Sequence, residues 1–275
     1  MTEFIKFELK NNIAKITISR TKKKNALTLE MLQKLTDIGE RLKSESNLLC
    51  VLITGQDGIF CSGIDTTNFA KLASDRTLLN SLMDPLKEAP YNKMQKPCII
   101  WQELAVPVIA ILEGPVFGAG LQLALGADIR ISSPTAEFSI METKWGLIPD
   151  MGITQTLPKL MNYDQALLAT LTSNLINAEK AYELGLVTIC TENPYEKGLK
   201  LAEELGSKSP DALRATKTLY KKAWKKADFD NLQLEALLQT QLIGNSNQME
   251  AALANIEKRR PNFSKHSLSD AKSRT

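Results

Sequence analysis

The 275-residue chain has one histidine, His266, nine residues from its end in a run of Lys, Ser, Asp and Arg. A Ser-His-Asp or Cys-His catalytic set would have to recruit it from a terminal tail. A zinc site with two or three histidines within one chain is excluded. Cysteine is almost as scarce. Cys50, Cys61, Cys98 and Cys190 have no CxxC spacing, and three sit in apolar runs. They read as free thiols of a reducing compartment rather than a disulfide or metal framework. Glycine (14) and proline (11) are too few for a collagenous or disordered chain. There is little charge excess: Lys+Arg 34 against Asp+Glu 31 gives +3, too small to imply a polyanionic partner. A membrane span is also missing, because the most apolar stretch, Ala105–Ala124, is broken by Pro107, Glu113, Pro115 and three glycines. The N-terminus MTEFIKFELK shows no basic segment leading into an apolar one, so no secretory signal and a cytoplasmic location are expected. Acid–base chemistry then falls mainly to carboxylates.

What is present is an ordinary globular composition, 43% hydrophobic and 24% charged, on a chain long enough for one large domain or two small ones. Phe4–Leu9 and Ile13–Ile18 alternate apolar and polar residues around Asn11-Asn12, a hairpin signal. Leu27, Met31, Leu32, Leu35, Ile38 and Leu42 share one helical stripe. Leu48–Thr54, Pro107–Leu112 and Ile129–Ser132 read as buried strands. Helical patterns between these runs predict an α/β fold with a largely buried sheet. Residues 66–104, interrupted by Pro85 and Pro90, read as helical pieces joined by a mobile connection.

Beyond Asn177 the strand signal fades. Helices are predicted at Ala178–Leu184, Tyr195–Leu205, from Ser209-Pro210-Asp211, and from about Asn231 to Lys258. The chain therefore divides into a core, 1–205, and a helical segment, 206–275. That segment holds 13 Lys/Arg against 7 Asp/Glu. Its stripe Arg214, Lys217, Lys221, Lys225 reads as a solvated helix face, with a phosphate-binding edge as the alternative. Nucleic acid is disfavoured, since Tyr220 and Trp224 are too few for a stacking platform.

Three segments carry the chemistry: Ile59-Phe60-Cys61-Ser62-Gly63-Ile64-Asp65 after the strand ending at Thr54, Glu113–Gly120 after the strand ending at Leu112, and Met141–Gly152. Glycines at strand ends expose backbone N–H groups and admit a close ligand. The second segment leads into a helix, Leu121–Leu125, whose first turn offers unpaired amide donors. Two such turns facing each other would supply two donors to one developing oxyanion.

The joint pattern resembles the crotonase superfamily, the enoyl-CoA hydratase/isomerase family. The resemblance runs from Ser19–Leu27 through Val51–Gly55, Phe60–Asp65, Gly118–Ala124 with Ala127–Arg130, Gly146–Asp150, and Ala178–Ala181 with Gly185–Val187, to Glu257–Phe263. It implies a spiral of ββα units with a helical C-terminal trimerisation region, and a homotrimer or hexamer. It implies an acyl-CoA thioester substrate, with no metal and no cofactor beyond that coenzyme A. The thioester oxygen would sit between the N–H groups of Ile64 and Ala119. Lys24, Ala26, Ser62, Gly63, Gly118 and Gln122 are the matching substrate-binding positions, and Lys258 and Phe263 would close the site of a neighbouring subunit.

The carboxylates separate the reactions within the family. Hydratases hold water between two glutamates, and the matching positions here are Gln122 and Glu142. A carboxamide cannot accept a proton at neutral pH, so the two-glutamate mechanism is not expected. Glu142 stays available as a single acid–base group, as in double-bond isomerases. Asp150, eight residues on, resembles the second acid of dienoyl-CoA isomerases, although a turn or cap role after Pro149 competes. Asp65 reads as a turn or cap residue. The expected function is a C=C shift in an enoyl- or dienoyl-CoA, with hydration of 2-enoyl-CoA and a catalytically weak acyl-CoA-binding protein as alternatives.

Overall fold

The computed structural model describes residues 4–87, 89–224, 237 and 239–265. His266, Lys225 and the first part of the last predicted helix lie outside the described residues. Nine strands are described: β1 (Ile5–Lys10), β2 (Ile13–Ile18), β3 (Cys50–Gly55), β4 (Val108–Leu112), β5 (Pro115–Phe117), β6 (Ile129–Ser132), β7 (Glu137–Ser139), β8 (Ile176–Asn177) and β9 (Ile189–Cys190). The helices are α1 (Leu29–Lys43), α2 (Thr67–Ser74), α3 (Arg76–Met83), α4 (Lys96–Glu103), α5 (Ala119–Leu125), α6 (Ile153–Thr156), α7 (Tyr163–Thr172), α8 (Ala178–Glu183), α9 (Pro194–Gly206), α10 (Pro210–Ala223) and α11 (Ser246–Glu257).

The hairpin forms where its turn chemistry demands. Asn11 and Asn12 both take positive φ, which asparagine tolerates, and Lys10 pairs with Ile13 across them. From β2 onward the long sheet is parallel, in the order β1-β2-β3-β4-β6-β9. Its central strands are apolar on both faces because both are covered. One face meets α1, α4 and α5; the other, through Leu52, Ile109 and Ile111, meets α9. α1 opens on Thr28, whose hydroxyl accepts the N–H of Met31, and buries Met31, Leu35, Ile38 and Leu42.

A second sheet, β5-β7-β8, stands beside the first. After β3, β4 and β6 the chain turns and adds a short extended piece there. Cys61 bridges Val116 and β5 pairs with β7, all parallel. These successive turns make the spiral, and they bring the ends of three strands to one place. The short strands escape sequence reading, since two or three residues cannot display an alternation.

Two expectations are corrected. The helix foreseen to run unbroken to Lys258 stops at a turn, where Gly244 takes φ +81°, and α11 starts only at Ser246. The basic stripe is not wholly a solvated face. Lys217 sends its ammonium into the core, 2.6 Å from Asp128 Oδ2 and 2.8 Å from the Val106 carbonyl, while Arg214 Nη2 donates to the Leu48 carbonyl at 3.1 Å. Burial lowers the Lys217 pKa, and the Asp128 charge opposes that shift.

Candidate active site

The floor of the site is backbone. Cys61 N donates to Pro115 O (3.0 Å) and Phe117 N to Cys61 O (3.1 Å), locking the first glycine loop to β5. On its other side Leu27 N donates to Gly63 O and Asp65 N to Leu27 O, both at 2.8 Å. That pattern uses the Gly63 carbonyl and the Asp65 N–H, on either side of Ile64, and leaves the Ile64 N–H out of the ladder. In the second loop Gly118 N donates to Ser139 O (3.0 Å), and Gly118 itself takes φ 49°, ψ −119°. This conformation, open to glycine but strained for other residues, starts α5 at Ala119. The Ala119 amide lies in the first helical turn and has no partner four residues back. Among the described residues neither amide, Ile64 or Ala119, donates to a protein acceptor. Gly120 allows α5 to rest on the first loop: a Cβ there would fall 2.6 Å from Cys61 O and 2.8 Å from its sulfur.

Ile64 and Ala119 line one cavity of about 530 Å³, together with Glu142 and Asp150. Its walls are mainly apolar, with Leu72, Leu79, Met83, Met94, Leu147 and Ile148. Glu142 opens a 3-10 turn, Glu142–Trp145, that follows β7. Thr143 and Ser173 pin that turn: Thr143 Oγ1 donates to Thr170 O (2.6 Å) and Ser173 Oγ accepts from Lys144 N (3.2 Å). Glu142 Oε1 accepts from Gln122 Nε2 at 2.6 Å, whereas Oε2 is buried without a hydrogen-bond partner. Burial raises the pKa of Glu142, the Gln122 bond opposes that, and the Asp150 charge adds to it. Burial likewise raises Asp150.

Asp65 does not line the cavity. Its Oδ1 accepts from both the amide and the hydroxyl of Thr67, and Oδ2 is 2.5 Å from Arg20 Nη1. Those bonds, Thr67's first, hold its pKa down to about 2. It is the brace of the first loop, in keeping with a cap rather than a catalyst.

Ser62, Gly63 and Gly118 also line the cavity. Gln122 does not; its carboxamide is bonded at both ends, to Glu142 and to the Met151 amide. Lys24 and Ala26 lie outside, on the loop that supports the floor. The Lys24 carbonyl accepts from Ser62 N at 3.0 Å, and the Ala26 carbonyl from Arg20 at 3.1 Å. Lys258 and Phe263, beyond α11, do not line the cavity of their own chain. Sequence reasoning missed the wall from α2 and α3, which also brings Arg76 to the cavity. The signal was present as Leu72, Leu79 and Met83, spaced by seven and four residues.

A two-sheet spiral that brings two glycine-rich loops and a carboxylate to one cavity defines a crotonase-type scaffold. The comparisons agree with that class. The family model for enoyl-CoA hydratase/isomerase matches residues 8–266. A methylglutaconyl-CoA hydratase of Mus musculus is 29% identical over 264 residues, covering 93% of this chain and 81% of its own. A Δ(3,5)-Δ(2,4)-dienoyl-CoA isomerase of Arabidopsis thaliana is 26% identical over 268 residues, covering 96% of each. The crystal structure of an enoyl-CoA hydratase from Bacillus anthracis superposes with a TM-score of 0.86 at 27% identity, over 96% of this chain and all of that one. The chain belongs to the enoyl-CoA hydratase/isomerase family of the crotonase superfamily.

Proposed function

We propose that this chain shifts a C=C bond within an enoyl- or dienoyl-CoA. The thioester oxygen accepts hydrogen bonds from the amides of Ile64 and Ala119. Glu142 removes a proton from the acyl chain, giving an enolate whose negative charge those two donors hold. Each such donor contributes ~3 kcal/mol of transition-state stabilisation. A proton then returns to a carbon two or four positions along, from Glu142, or from a protonated Asp150 that the Glu142 proton afterwards replenishes, so substrate and product have the same formula. The reaction as written needs no cofactor beyond the coenzyme A of the substrate.

One observation carries this reading: Glu142 borders the same cavity as Ile64 and Ala119, whose amides donate to no protein acceptor among the described residues. Gln122 supports isomerisation over hydration, because a carboxamide with both ends bonded supplies no second base. Asp150 on the cavity wall supports the second reading, in which water is held between Glu142 and Asp150 and adds to a 2-enoyl-CoA. The test is incubation with 3-enoyl, 3,5-dienoyl and 2-enoyl thioesters, with products identified by mass and NMR. An isomer of unchanged mass supports the first reading, a gain of one water the second, and tight binding without turnover a plain acyl-CoA binder. Glu142→Gln is expected to lower kcat by ~10²–10⁴ while leaving CoA binding intact. Near-normal turnover in that variant would end its proposed role.

Self-association into a trimer or hexamer is part of the proposal. α7 supports it: Leu168 and Leu171 lie about two-thirds exposed on a helix that buries no residue. Light scattering coupled to gel filtration tests it, a monomeric mass being the contrary result. The buried free thiols Cys50, Cys61 and Cys98 support a reducing compartment such as the cytoplasm.

A further inference from the structure

Gln122 lies one turn along α5 from Ala119 and is buried, with its carboxamide held at both ends. Its Oε1 accepts the Met151 N–H at 2.8 Å, and its Nε2 donates to Glu142 Oε1 at 2.6 Å. The orientation is settled by chemistry. A backbone N–H can only donate, so the end facing Met151 is the oxygen and the end facing Glu142 is the NH₂. An NH₂ in turn can only donate, so Glu142 Oε1 must act as an acceptor in every protonation state. A carbonyl oxygen accepts better than a carboxyl hydroxyl, so when Glu142 carries a proton this bond favours its placement on Oε2, the oxygen with no protein partner. The same side chain also ties the peptide after Asp150 to Glu142.

We infer that Gln122 is a positioning residue: it biases the proton of Glu142 toward Oε2 and registers both the Glu142 turn and the Asp150 loop to the helix that presents the Ala119 amide. This rests on the reading of Glu142 as proton carrier. It assigns Gln122 work done through the acid rather than contact with the substrate. It also makes the two oxygens of Glu142 unequal: Oε1 is occupied by Gln122, and Oε2 has no donor from the protein.

The groups facing Glu142 fix the sign of the test. Gln122 donates to it, Asp150 repels its charge, and burial disfavours its ionised form. Gln122→Met keeps the side-chain length and removes the donor. Glu142 then titrates at higher pH, the acid limb of kcat moves up with it, and kcat falls by up to ~10²-fold, as for a misplaced catalytic group. KM stays within a few-fold. The Glu142 carboxyl is followed by ¹³C NMR of glutamate-labelled full-length protein, its resonance assigned by its loss in Glu142→Gln. This readout needs no turnover. A wild type inactive on every thioester would therefore defeat the proposed function while the titration still decides the role of Gln122. An unchanged Glu142 titration in Gln122→Met overturns the inference, whatever happens to stability. Should that variant not fold, Gln122→Glu decides. A second carboxyl at the donor's place makes the pair titrate in two separated steps, and a single unshifted step is the contrary result.

Discussion

The floor and the wall of the cavity are built on different principles. The floor is main chain: Cys61, Gly63, Gly118 and their neighbours are held by hydrogen bonds to β5, to Ser139 and to the Leu27 segment, none of which depends on side-chain identity. The wall is side chain: Leu147 is 45% and Ile148 75% exposed, on a segment outside both sheets. Charge stabilisation needs donors fixed before the reaction, which strand ends provide. Choice of acyl group needs a surface that can vary without disturbing those donors. Under the proposed function, the division separates how the reaction runs from which thioester undergoes it.

Breaking the floor has the largest expected effect. Gly120→Ala puts a methyl group 2.6 Å from a backbone oxygen, so α5 must shift and the Ala119 amide with it. Loss of one oxyanion donor corresponds to ~10²–10³ in kcat, and steady-state kinetics alongside a thermal melt would show whether activity falls further than stability. Asp150→Asn tests the boundary between floor and wall. A loss of about tenfold in kcat is expected if Asp150 assists proton return, at the low end for a positioned acid–base group. The acid limb of the pH–rate profile should also move to lower pH, because the Asp150 charge raises the pKa of Glu142 and the proposed reaction requires the base form. An unmoved limb would place Asp150 outside the electrostatic reach of Glu142.

Bracing under the floor gives a smaller effect, on stability. Asp65 is held near pKa 2, below its ordinary value, so its contribution is present above about pH 4 and is lost as pH falls through 2. Asp65→Asn should cost about 1–2 kcal/mol at pH 7, and the gap to wild type should close in melts below pH 3. Ile148→Ala sharpens the contrast from the other side. It should shift relative kcat/KM between short and long acyl chains by only a few-fold, since so much of the side chain already faces solvent.

Much of this arrangement was legible from residue order alone. Asn11-Asn12 announced the hairpin because few residues accept two successive positive φ values. The glycine loops could be placed because each directly followed a run of apolar residues short enough to be a buried strand. The partners within the site could not be read. That Gln122 meets Glu142, twenty residues away, depends on β6 and β7 returning the chain to the end of α5, and β7 is three residues long. The basic stripe misled for a similar reason. A lysine repeating at helical spacing looks solvated until a carboxylate from a distant strand end, here Asp128, is known to face it.

The Lys217 contact has a consequence for how this molecule could be divided. Asp128 also accepts the N–H of Val108 at the start of a central strand, so the ammonium from α10 neutralises a group that is part of the sheet's own framework. A fragment ending at residue 205 would leave that carboxylate without its counter-ion, and would strip the covering from the Leu48 carbonyl that Arg214 occupies. The C-terminal helix α10 thus acts as a keystone for the spiral, and shortened expression products should be planned to end beyond Ala223.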